Sequence, residues 1–239
     1  MNNTLIIPRN LERKPYELNR FYVQRILEYN IVTLNLLPGQ LVSANELAKE
    51  LNTSRTPVHD AFIELSKKSL MTIIPQVGTK ISLINVEKVK AVSFLRFSAE
   101  IKMLERACGS ITEQELNALH RCVEMQKASA KEKDYLQFLE DDNAFHSLLF
   151  EGAGLTEVGF LIDPYMPIFN RVRMLIYKNL DIPRIIQEHT DLLAFLRDQN
   201  LAEATKVLSK HLAYDVSRDL ELLKEKFPEY FLANGQQLY

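Results

Sequence analysis

Apolar residues recur at helical spacing along most of the 239-residue chain. Over residues 16–30, Leu18, Phe21, Tyr22, Ile26 and Tyr29 make one stripe and predict a first helix. Pro38 and Gly39 in "LLPGQLV" interrupt it with a turn. In "SANELAKEL", Ser43 followed by Glu46 reads as a capping box, and Leu47, Ala48 and Leu51 line one side of a short second helix. After the tight turn expected of Asn52 and Thr53, Ser54 suits an N-cap. Pro57 falls in the first turn of a third helix, where its missing N–H has no intrahelical partner to lose. Val58, Ala61, Phe62 and Leu65 follow the spacing of a core-facing stripe, which leaves Arg55, Thr56, His59 and Ile63 outside.

The pattern then shortens to that of strands. "LMTIIPQVGTKISLI" holds two β-rich runs around Pro75–Gly78, a hairpin. Three short helices and a two-stranded wing make a winged helix-turn-helix, whose third helix enters the DNA major groove N-terminal residues first. From residue 84 on, the helical period returns with no strand pattern, over roughly 86–109, 112–130, 133–151, 157–180, 182–197 and 201–226. "FEGAGLTEV", "IDPYM" and "RDQNLAEA" carry the clearer breaks. The expected fold class is mainly α: a winged helix-turn-helix over 1–83 and an all-α antiparallel helical bundle over 84–239. Met103, Leu104, Leu148 and Leu149 belong to the bundle's core. His120 reads as a partly buried structural residue, and Arg171 and Arg173 as helix-surface charges, with room for one to turn inward.

Composition narrows the setting. With 46% hydrophobic and 25% charged residues, the chain can bury one large core or two smaller ones. No apolar run approaches the roughly 20 residues of a membrane span, and the first ten residues lack the basic start and apolar stretch of a secretion signal. Cys108 and Cys122 make neither a disulfide framework nor a metal motif, so they read as reduced thiols of a cytoplasmic protein. Net charge is −2. Residues 1–80 carry 10 Lys and Arg against 7 Asp and Glu, and the rest carries 19 against 24. A basic front on an acidic back fits a DNA reader joined to something else.

Candidate chemistry is sparse and concentrated. "DDNAFHSLL" puts Asp142 and His146 four apart on one helix face, while His189 and His211 sit among apolar neighbours on two later helices. One carboxylate and three imidazoles suit a divalent transition metal; taken singly, each histidine is better read as an ordinary hydrogen-bonded helix residue. Arg96 and Glu100 are also four apart. That spacing favours an intrahelical salt bridge, with Arg96 as an anchor for an anionic ligand the alternative. There is no Gly-rich phosphate loop, nucleophile elbow or Cys-based zinc pattern.

Taken together, the segments resemble one family. The stretch from "LLPGQLV" through "ELA", "SRTPV" and the wing glycine is similar to the DNA-binding domain of GntR-type bacterial transcription regulators. "LRFSAE", "DDNAFH", "EHTDLL", the following "HL" and "FPEYF" resemble the FCD effector domain of that family's fatty-acid-regulator branch. The resemblance implies a ligand-responsive regulator, read as a repressor, that acts as a homodimer on an inverted-repeat operator in double-stranded DNA. It implies DNA contacts from Ser43, Asn45, Arg55, Thr56, His59 and Gly78. It also implies a divalent metal, Zn²⁺ or Ni²⁺, on Asp142, His146, His189 and His211, and a small organic acid effector beside it with Arg96 as its anchor. The DNA end departs from the family pattern. His59 stands where an arginine is usual, Asn45 where a charge is common and Val77 where the wing tip is basic or polar, so a shallower salt dependence is expected.

Two other functions compete. A metal-dependent enzyme would use the Asp/His group, but no second carboxylate at Glu-x-x-His spacing and no general base accompanies it. An interaction module that has lost DNA binding would explain His59, Asn45 and Val77. The winged helix argues against the first and Arg55 with Thr56 against the second, so the chain reads as a regulator and not an enzyme.

Overall fold

The structure, a computed structural model, describes residues 5–180 and 182–233, and of residues 213–218 the backbone alone. The described residues form two compact units. One comprises those of Met1–Val86 and Lys224–Tyr239, the other Glu87–Leu223. The chain after Leu223 thus groups with the N-terminal unit, where the sequence pattern carries it into the second domain.

In the first unit, helix α3 (Arg55–Lys67) packs against both α1 (Asn19–Val32) and α2 (Ala44–Glu50). The buried face of α1 is Tyr22, Val23, Ile26, Leu27, Asn30 and Ile31. This corrects the expected stripe: Leu18 lies just before the helix, and Leu18 and Phe21 are exposed. The branched aliphatics, not the aromatics, set the inward phase. Asn30 is buried at no cost, because its side chain bonds the Ile6 N–H at 2.8 Å, the Ile6 carbonyl at 2.9 Å and the Ile26 carbonyl at 2.8 Å. On α3 the expected stripe of Val58, Ala61, Phe62 and Leu65 is buried, and Arg55, Thr56, His59 and Ile63 are exposed. Burying those four apolar side chains contributes several kcal/mol, at about 1.5–3 for each of the larger ones.

The capping expectations hold in part. Ser43 accepts the Glu46 N–H at 3.4 Å, half of a capping box. Ser54 has the N-cap backbone conformation without a side-chain cap bond. The wing has three strands rather than two, in the order β1 (Leu41–Val42), β3 (Gly78–Ile81), β2 (Met71–Ile74), all antiparallel. The residues after the Pro38–Gly39 turn extend onto the free edge of β3. Gln76 at φ +62° and Gly78 at φ +137° turn the wing tip, the latter a conformation that side chains rarely adopt.

The second unit is all-α: α4 (Val86–Ala107, whose first residue belongs to the N-terminal unit), α5 (Glu113–Glu132), α6 (Tyr135–Gly152), α7 (Thr156–Ile162), α8 (Met166–Asn179), α9 (Ile182–Arg197) and α10 (Leu201–Lys226, ending in the N-terminal unit). Residues 157–180 are not one helix. Pro164 interrupts them with a 3-10 turn over Asp163–Tyr165, since it cannot donate to the ladder. Thr112 and Glu115 make a full capping box at the start of α5, and Lys133 at φ +58° reverses the chain into α6. The core includes Met103, Leu104, Leu119, Phe145, Leu149, Leu192, Leu196 and Leu208, with Leu148 packed at its edge. His120 is exposed, contrary to expectation, because Leu116, Leu119 and Val123 set the inward face. Helix α8 is buried continuously from Phe169 to Tyr177. With no solvated face, it takes Arg171 and Arg173 inside, correcting their reading as surface charges. No helix among the described residues is long and apolar enough to cross a membrane.

Candidate functional site

The buried polar centre of the helical unit is assembled by three helices. Asp142 and His146 project from α6, one turn apart, His189 from α9 and His211 from α10, and all four are buried. One ring nitrogen from each histidine lies within 4.8 Å of the others. Asp142 borders this trio, its Oδ2 3.6 Å from His146 Nε2 and its Oδ1 3.8 Å from His189 Nε2. The Phe145 ring stacks on His189 with centroids 4.2 Å apart, closing the apolar side.

Two of the three imidazoles are held from behind by groups that sequence spacing does not reveal. His189 Nδ1 donates to Gln126 Oε1 on α5 at 2.8 Å, and His211 Nδ1 donates to Glu188 Oε2 on α9 at 3.0 Å. His146 Nδ1 lies 2.7 Å from Glu100 Oε2 on α4. For His189 and His211, the acceptor at Nδ1 keeps the proton there and turns the Nε2 lone pair inward, the usual arrangement behind metal-binding histidines. The Nε2 atoms of His189 and His211 then face each other at 3.4 Å. Two lone pairs at that separation repel unless a cation or proton lies between them. Both ring nitrogens of His146, Glu100 Oε2 and Asp142 Oδ1 are buried with no hydrogen-bond partner. Unsatisfied acceptors converging in a dry interior fit a divalent cation.

Electrostatics set the protonation states. Burial, and then the neighbouring Arg96, push His146 well below the ordinary histidine range; burial and then His211 do the same to His189. Burial alone would raise Asp142, but the Arg173 guanidinium and the histidines outweigh it and hold the carboxyl low. Arg173 contacts Asp142 Oδ2 through Nη2 and donates to Asn143 at 2.5 Å, Asn170 at 2.9 Å and the Tyr177 hydroxyl at 2.9 Å. Burial also pushes Arg171 down to about 10. Glu188, raised by burial, is drawn down overall by His211 and Arg184, whose Nη1 lies 3.1 Å from it.

Arg96 makes the salt bridge that its spacing favours. Its Nε donates to Glu100 Oε1 at 2.5 Å, and both side chains are buried. It also lines a cavity of about 240 Å³ together with Asn143, His146, Ser147, Phe150 and Met166. The guanidinium, amide, hydroxyl and imidazole there can meet a small anion, which must also sit near the Glu100 and Asp163 carboxylates that line the same wall. Glu100, Gln126, Glu188 and Arg173 are absent from the sequence-derived set. Only Glu100 had a local signal, its spacing from Arg96.

In the first unit, Asn45 is exposed on α2, and Arg55, Thr56 and His59 are exposed on the first turns of α3. Gly78 is exposed beside the wing tip, where an added Cβ would meet nothing within 4 Å. Ser43 is partly buried, its hydroxyl engaged at the N-terminus of α2. The exposed residues lie on the elements that a winged helix presents to DNA.

The match to known proteins covers both units. Residues 22–81 match the bacterial regulatory proteins of the gntR family, and residues 92–214 match the FCD domain. The chain is 27% identical over 210 residues to the HTH-type transcriptional repressor RspR of Escherichia coli, covering 87% of this chain and 92% of that protein. It is 23% identical to the gluconate operon transcriptional repressor of Bacillus subtilis, with 87% and 83% covered. Its fold is similar to that of E. coli McbR/YncC, with a TM-score of 0.72, 16% identity, and 87% and 99% of the two chains covered. A regulator assigned to GntR from Rhodococcus sp. RHA1 gives a TM-score of 0.67 at 20% identity, with 84% and 97% covered. These relatives are regulators of transcription rather than enzymes. The chain belongs to the gntR family of bacterial regulatory proteins, a DNA-binding transcriptional regulator with an FCD domain.

Proposed function

We propose that this regulator is a homodimeric repressor that binds a divalent transition metal, Zn²⁺ or Ni²⁺, and a small organic acid in its helical unit, and reads an inverted repeat with its winged helix. The observation that carries the metal reading is the convergence of one buried ring nitrogen from each of His146, His189 and His211 beside the unpartnered Asp142 Oδ1. Imidazole and carboxylate together suit these ions. When bound, the ion supplies a Lewis-acidic site for a carboxylate oxygen. Gln126 and Glu188 orient the rings of His189 and His211, Glu100 lies beside that of His146, and Arg173 orients Asp142. Arg96, at the wall of the adjoining cavity, is the anchor for the acid's negative charge.

At the DNA end, Arg55 is the residue able to read guanine with two parallel hydrogen bonds, and Thr56, His59, Asn45, Ser43 and Gly78 flank it. An acid bound in the helical unit regulates if it favours one placement of the two reading helices by about 1.4 kcal/mol, a tenfold change in affinity.

The test has two parts. Metal content of the purified protein is compared with that of His189→Ala; unchanged stoichiometry in the variant excludes the ligand set. Selection from a random duplex pool is then read for symmetry, with Arg55→Ala as control. An inverted repeat that the variant no longer recovers supports the DNA reading, and no enrichment by folded protein excludes it.

A further inference from the structure

The last described residues form a contact that neither matched region contains, since those regions end at residues 81 and 214. Helix α10 carries His211 and runs unbroken to Lys226, so its final turn belongs to the N-terminal unit. Beyond it the Phe227 and Tyr230 rings stack at 5.4 Å across a 3-10 turn over Pro228–Tyr230. Phe231 then lies parallel to Ile84. The Ile84 N–H donates to the Tyr230 carbonyl at 2.8 Å, and the Leu232 N–H donates back to the Ile84 carbonyl at 2.9 Å. Phe231 and Ile84 are both buried.

Ile84 occupies a sensitive position. Two residues before it, Ser82 is tied to β2 by its N–H to the Leu70 carbonyl at 3.0 Å and its hydroxyl to that of Thr72 at 2.8 Å. Two residues after it, α4 begins at Val86. Ile84 is therefore the middle of the short link between wing and helical unit, and the chain's far end grips it. From His211 the helix continues unbroken for 15 further residues, about 22 Å, to the end of α10. A two-bond bridge of one residue pair is also weak enough to open and re-form without unfolding either unit.

We propose that residues 227–232 are a strap through which α10 acts on the winged helix, gripping the Ile84 link so that a shift of the helix at His211 is felt at the base of the wing. As a metal-responsive device it rests on the metal reading above; as a grip on the link it does not.

The test compares the full chain with one ended at Phe227 and with Phe231→Asp, using Zn²⁺ as the probe and a duplex selected by the full chain. For the full chain, saturating Zn²⁺ should change duplex affinity about fivefold or more, the lower end of typical coupling. Both variants should keep Zn²⁺ affinity and metal-free duplex affinity within about threefold, while the Zn²⁺ effect on the duplex falls below about twofold. Variants that retain the full effect overturn the proposal, as does a full chain that binds Zn²⁺ with no change in duplex affinity. If the full chain binds no Zn²⁺, the metal reading fails by itself. The strap is then judged in the unaltered protein by amide hydrogen exchange at Ile84 and Leu232 on adding duplex. The same measurement on adding Zn²⁺ decides if the variants do not fold. A change in protection at these two amides supports the strap, and unchanged protection overturns it.

Discussion

His211 donates from Nδ1 to Glu188 Oε2 at 3.0 Å, and Glu188 immediately precedes His189, the histidine that His211 faces. Consecutive residues of α9 thus serve one site from two sides, one as a ring on the inside and one as the acceptor behind the opposite ring. Glu188→Ala should lower affinity for Zn²⁺ or Ni²⁺ about 10–100-fold, the usual cost of losing an outer partner of a ligating histidine. Glu188→Gln, whose amide oxygen still accepts, should lose less. A competition titration against a chelating dye measures both, and equal affinities for all three proteins would show that Glu188 does not orient His211.

The metal-free protein should lose stability as pH falls below about 6.5. His146 and His189 are held neutral by burial, so their folded pKa values lie below the ordinary 6.5. Below that pH the unfolded chain takes up protons that the folded one refuses. Stability then rises with pH and falls on acidification by up to about 1.4 kcal/mol per histidine per pH unit. Asp142, also held low, adds a loss only below its ordinary 3.8. Urea denaturation at pH 7.5 and 5.5 measures the first window. His146→Asn with His189→Asn should flatten it; an unaltered slope would place its source elsewhere.

Arg173→Met should destabilise the helical unit by about 3–5 kcal/mol, because Asp142 is left as a buried charge without its guanidinium. Pairing the change with Asp142→Leu should recover much of the loss, since an apolar pair leaves no charge stranded. The double variant's urea midpoint decides. A pair no more stable than the single variant would mean that the damage comes from Asn143, Asn170 and Tyr177 instead.

At the DNA end, Arg55→Ala should cost about 1–3 kcal/mol of discrimination at the base it reads. His59→Arg should steepen the dependence of log affinity on log salt by about 0.9, the value of one added phosphate contact. Titrations at several salt concentrations test it. An unaltered slope would mean that this exposed position of α3 does not face the phosphates.

Much of this was legible locally. The inward phase of α3, the hairpin of the wing and the exposure of Arg55, Thr56 and His59 follow from spacing within a dozen residues. So does the shared face of Asp142 and His146. The break at Pro164 was also local, marked by "IDPYM", although the helical spacing on both sides read as one stretch over 157–180. On α1 the aromatics pointed to one phase and the aliphatics to another, and only a neighbouring helix chooses between them.

The sequence by itself determined the elements, the winged helix at the front, the all-α unit behind it and the residue types able to ligate a metal. Tertiary structure decided which of those residues meet. Gln126 and His189 are 63 positions apart and Arg173 and Asp142 are 31 apart, and nothing in a helical period encodes such a pairing. It arises because α8 is wrapped on every side, leaving Arg171 and Arg173 no route to water, and because buried imidazoles must find acceptors on whichever helix packs behind them. Phe231 meets Ile84 for the same kind of reason: an apolar ring just beyond a long helix is buried where the fold returns it, 147 positions along the chain.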